Sequence, residues 1–101
     1  MVEIANTSET LTQLIQDLGY SSILDFARKQ AKGIIQQKIA YYKSRIDYFE
    51  QKYGMNFEIF CQNFEQIKQH TIFEKEDDSI TWESSIDVVN AYQQDLLALN
   101  Q

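Results

Sequence analysis

Apolar positions in this chain recur at spacings of three and four, so the pattern predicts helices almost from end to end. Leu11, Leu14, Ile15 and Leu18 fall at i, i+3, i+4 and i+7. Asn6 and Glu9 are spaced as a capping box, and Gly19 follows the last apolar residue, which predicts a short helix from Asn6 to Leu18. Ser22 with Asp25 three residues later can start the next helix, and nothing before Gly54 is strong enough to stop it. Gly33 inside that helix costs only about 1 kcal/mol against Ala. A helix from Ser22 to Tyr53 would measure about 48 Å, long enough to depend on lateral partners for burial.

The side chains of the long helix supply those partners in two rows. Ile35, Ile39, Tyr42, Ile46, Phe49 and Tyr53 alternate spacings of four and three, the mark of a seam along another helix. Ala27, Ile34, Tyr41 and Tyr48 recur every seven residues on the adjacent flank, making the stripe wider than one neighbour covers. Beyond Gly54, Asn56 caps a third helix with Phe57, Phe60, Cys61, Phe64 and Ile67 on one face. The run Glu74 to Asp78 lacks an apolar period and is expected to be a solvated connection. After it, Ser79 or Thr81 would cap a last helix with a Trp82, Ile86, Val89 and Leu96 seam and Val88, Tyr92 and Leu99 beside it. The expected fold is all-α: a short N-terminal helix, a long central helix, a Phe-rich third helix, and a C-terminal helix packed antiparallel on the long one. Residues 1–101 form one helical domain in this reading, with 1–21 a helical appendage and 22–101 the long-helix hairpin.

Composition narrows the classes. The absence of Pro and the presence of only three Gly remove the turn punctuation of a β sandwich or barrel, and 44% hydrophobic residues suffice for a core. A lone cysteine, an N-terminus without a basic head and apolar run, and no membrane-length apolar stretch lead to the expectation of a soluble cytoplasmic protein. Net charge is −6, but seven of the nine basic residues lie between Arg28 and Lys52 while seven of the fifteen acids lie from Glu74 onward.

Candidate chemistry is sparse. His70, Glu74, Cys61 and Glu65 lack the converging ligands of a zinc site, so no metal or other cofactor is expected. Cys61 among phenylalanines is read as a small core hydrophobe. No GxxxxGK[ST], GxGxxG or GxSxG sequence occurs, and Glu83 with Asp87 reads as the wet rim of a seam, so no enzymatic role is expected. Arg28, Lys29 and Lys32 could meet phosphates, although the overall acidity opposes nucleic-acid binding.

The run Tyr42 to Phe57, YKSRIDYFEQKYGMNF, followed after an acidic gap by Trp82-Glu83, resembles small prokaryotic antitoxin-like proteins of cyanobacteria and archaea. These share a helix ending in KYGM-x-F and a second helix entered through Trp-Glu. They are usually encoded beside a toxin, often ribonuclease-like, and the resemblance implies that this chain binds and neutralises such a partner. Leu11 to Ile35 is similar to the two helices of ribbon-helix-helix repressors, yet Met1 to Asn6 offers none of the basic residues with which their N-terminal strand reads DNA.

Three functions follow in order. The first is an antitoxin-like binding module, with Ala27, Ile34, Tyr41, Tyr48, Trp82, Ile86 and Tyr92 as partner-binding residues. The second is a homodimeric structural or adaptor protein that buries the Ala27, Ile34, Tyr41, Tyr48 row against a second copy. The third is a DNA-binding regulator using Arg28, Lys29 and Lys32.

Overall fold

A computed structural model describes residues 2–100, with side chains from Ser8 onward. Its described residues form four helices: α1 (Val2–Asp17), α2 (Ile23–Tyr53), α3 (Phe57–Gln62) and α4 (Ile72–Leu99), with a 3-10 turn at Phe64–Gln66. The all-α expectation is met. The chain divides into two compact units, Met1–Ile34 and Ile35–Gln101, so the first holds α1 and the start of α2 and the second holds the rest.

In the first unit, α1 begins at Val2, which places Asn6 inside the helix and not at its cap as the spacing with Glu9 had predicted. Its end agrees with the sequence. Gly19 takes φ +101°, its N–H donates to Gln16 O and the Tyr20 N–H to Ile15 O, the paired bonds that close a helix through a left-handed glycine. α2 then starts as a reciprocal cap: Ser22 Oγ accepts from the Asp25 N–H and Asp25 Oδ2 from the Ser21 N–H, both at 3.0 Å. Ile15 is buried, and the rings of Tyr20 and Phe26 meet edge-to-face at 5.1 Å.

In the second unit, the predicted seam is the buried side of α2. Ile39, Phe49 and Tyr53 are buried, and Ile35, Tyr42 and Ile46 are half-buried. Gly54, at φ +70°, ends the helix, and Asn56 Oδ1 accepts from the Ile59 N–H to start α3. Contacts of Tyr53 with Asp78 and of Phe49 with Trp82 show that α4 runs antiparallel to α2. The core is Phe49, Tyr53, Phe60, Ile67 and Trp82, with Ile46, Met55, Phe57, Phe64 and Ile86 packed on it. Trp82 lies at its centre, 0% exposed, with ring centroids 5.6 Å from Phe49, 5.9 Å from Tyr53, 5.2 Å from Phe57 and 5.1 Å from Phe60.

Two sequence expectations fail here. The third helix does not run on to Ile67: α3 stops at Gln62 and a 3-10 turn follows Asn63, which lets Phe64 bend onto Phe60 at 5.6 Å. Nor is Glu74 to Asp78 a loop, because α4 starts behind Thr71, whose Oγ1 accepts from the Glu74 N–H at 3.1 Å. That first stretch of α4 has no apolar period because the face it turns inward is polar. Lys75 is buried and its Nζ donates to Phe64 O at 2.6 Å and Ile67 O at 2.8 Å, capping the irregular segment that precedes the helix.

Candidate functional site

Helical geometry separates the sequence-predicted contact residues into two groups. Ala27 and Ile34 in the first unit, and Tyr41 and Tyr48 in the second, are exposed, with Tyr41 at 58% and Tyr48 at 56%. Tyr48 meets the buried Phe49 ring edge-on at 5.2 Å, and Tyr41 meets Tyr42 at 5.0 Å, so both rings are held by neighbours while their outer faces stay open. Trp82 is corrected: its indole is sealed in the core and presents nothing to a partner. Ile86 is half-buried against that same core, and Tyr92 is half-buried. Cys61, read as a core residue, is exposed instead, and its thiol is pushed up by desolvation and then by the charge of Glu83.

The basic group of the first unit is only partly free. Arg28 and Lys29 are exposed and Lys32 is half-buried. Lys29 Nζ lies 3.3 Å from Asp25, whose carboxyl is held below the usual range first by the Ser21 N–H and further by Lys29.

Sequence reading missed a polar cluster that joins α2 to the start of α4. Lys52 Nζ lies 2.7 Å from both Asp78 Oδ2 and Glu74 Oε2, Tyr53 OH donates to Asp78 Oδ2 at 2.6 Å, and His70 Nδ1 lies 3.1 Å from Glu74 Oε2. The sequence signals were His70 with Glu74 and Glu74 with Asp78, each at i, i+4, the second hidden in what reads as an acidic loop. The hydrogen bonds to Asp78 and Glu74 push the Lys52 pKa up, burial and the bond to Asp78 push Tyr53 up, and the hydrogen bond from Lys52 pulls Glu74 down. These shifts move each group further from neutrality, the reverse of what proton transfer at neutral pH requires, so the cluster acts as a clamp.

The clamp has a pH signature. Lys52 and Tyr53 bind their protons more tightly folded than unfolded, so their contribution is full below about pH 10 and is lost as pH rises through the folded values. Glu74 is lowered, so its contribution is present above the unfolded carboxylate value and lost as pH falls through the folded one. Thermal melts should therefore fall off above about pH 10, and Tyr53→Phe should flatten that alkaline limb. An identical limb in the variant would disprove the assignment.

Among the described residues, no group of three or more His, Cys, Asp or Glu is placed to hold a metal ion, and no helix is long and apolar enough to cross a membrane. A cleft of about 550 Å³ beside Lys75 is lined also by His70, Thr71 and Lys68, but the two hydrogen bonds from Lys75 Nζ go to backbone carbonyls. Comparison of the chain with protein-family models, curated proteins and solved structures gives no match.

Proposed function

We propose that this protein is a non-enzymatic, antitoxin-like regulator that binds and neutralises a cognate toxin-like protein. The observation that carries this reading is the pair of exposed tyrosines on α2, Tyr41 and Tyr48, on the flank that the hairpin leaves uncovered. Tyrosine favours interfaces because it contributes a large ring at small entropic cost and keeps a hydroxyl for water or a partner. The resemblance of Tyr42 to Phe57 and Trp82-Glu83 to antitoxin-like proteins supplies the class of partner. The structure gives that motif a scaffolding sense: Lys52 and Tyr53 reach Asp78, Gly54 makes the turn, and Met55, Phe57 and Trp82 join the core.

Titration of the full chain into the product of its neighbouring gene should show a complex. The double variant Tyr41→Ala, Tyr48→Ala should weaken it by roughly several hundredfold, given about 2 kcal/mol for each interface anchor, with the circular dichroism spectrum unchanged. Equal binding by the variant would remove these tyrosines from the interface. A homodimer through the same row is the second reading, since Ala27 and Ile34 are exposed on α2 as well.

A further inference from the structure

Helix α4 carries apolar side chains on two opposite sides. Its buried side carries Trp82 and Val89. At 3.6 residues per turn, Phe73, Ile80 and Ala91 project from the opposite side, where Phe73 is 81% and Ile80 68% exposed. Acids flank them: Glu76, Asp77, Glu83 and Asp87 are all exposed, and among the described residues none has a basic group within ion-pair distance. Of the basic residues that pair with or belong to α4, Lys52 is committed to Glu74 and Asp78 and Lys75 to carbonyls. Between the acids runs a shallow groove of about 410 Å³ lined by Ile80, Glu83, Ser84, Asp87, Val88 and Ala91.

A helix with a second apolar face is ordinarily covered on that face too. Four uncompensated carboxylates repel nucleic acid and anionic lipid, and they favour a cationic surface that brings apolar side chains for Phe73 and Ile80. We propose that the outer face of α4 docks a basic amphipathic helix of the partner protein. This inference rests on the protein-binding reading above and adds a second contact surface to it, with a partner chemistry the tyrosines do not specify.

The test uses the full chain, isotopically labelled for NMR, titrated with a synthetic helical peptide of lysine and leucine arranged with a cationic and an apolar face. Amide shifts should centre on Phe73 to Ala91. Binding should weaken about tenfold or more when Glu76→Gln, Asp77→Asn, Glu83→Gln and Asp87→Asn are combined, and it should weaken with added salt. Because all four side chains face solvent, that variant should keep the wild-type spectrum, and Phe73→Ser provides an independent, uncharged probe of the same face. Shifts centred on Tyr41 and Tyr48, no shifts, or equal binding by the neutralised variant would overturn the proposal. The same variant separates this inference from the reading beneath it. A neighbouring-gene product that binds wild type and variant equally defeats the α4 face and leaves protein binding standing. Peptide docking on α4 with no binding of that product supports the face and defeats the toxin assignment. Self-association that the neutralised variant loses would assign the face to a second copy and overturn the proposal.

Discussion

Trp82→Ala should destabilise the protein by roughly 3–5 kcal/mol, the range for truncating a fully buried large aromatic side chain. The indole is 0% exposed and touches rings from α2 and α3, namely Phe49, Tyr53, Phe57 and Phe60, so its loss opens a cavity that no single neighbour can close. Each ring pair adds about 0.5–1.5 kcal/mol beyond area burial, which places the expected cost in the upper part of that range. For a chain of this size the melting temperature should fall by on the order of 15–25 °C. Trp82 Nε1 is buried without a hydrogen-bond partner among the described residues. Trp82→Phe should therefore cost distinctly less than the alanine variant, since it leaves a smaller hole and removes an unpaired donor. A melting temperature for Trp82→Ala within a few degrees of wild type would contradict the packing described here.

The second large effect is expected at Lys75. Its ammonium is buried, lies 4.4 Å from the Phe64 ring centroid, and donates to the carbonyls of Phe64 and Ile67. Lys75→Met retains most of the volume but leaves two carbonyls without their donor. Hydrogen bonds to charged groups contribute about 1.5–3 kcal/mol each, whereas burying the ammonium itself costs a few kcal/mol, so the net loss should be about 2–3 kcal/mol. Chemical denaturation read by circular dichroism measures it. A neutral or stabilised Lys75→Met would mean that the ammonium is an uncompensated burden and not the cap of the segment between α3 and α4.

What the sequence disclosed depended on whether the buried surface was apolar. The α2 seam from Ile35 to Tyr53 and the Trp82 to Leu96 seam of α4 were legible because burial there uses aromatic and aliphatic side chains at helical spacing. The turns at Gly19 and Gly54 were legible because each requires a positive φ. The first stretch of α4 was not, since its inward face is Glu74, Lys75 and Asp78, which periodicity counts as solvent-facing. The same substitution of polar for apolar contacts concealed the Lys52 clamp. Trp82 was misassigned for a different reason: periodicity places a residue on a seam, but a seam residue can face the hairpin or an external partner. Only the third element, α3 with its 3-10 turn, decides that, by closing over the indole. Asn6 misled because a capping sequence also fits inside a helix that begins earlier.

A protein that works by binding another protein gains mass on mixing with it, and light scattering reads that mass. The molar mass of the purified chain should be measured alone and then mixed with the product of its neighbouring gene. A new species at the summed mass of both proteins, diminished by Tyr41→Ala with Tyr48→Ala, is expected; masses unchanged on mixing, with each protein eluting as it does alone, would contradict a protein-binding role.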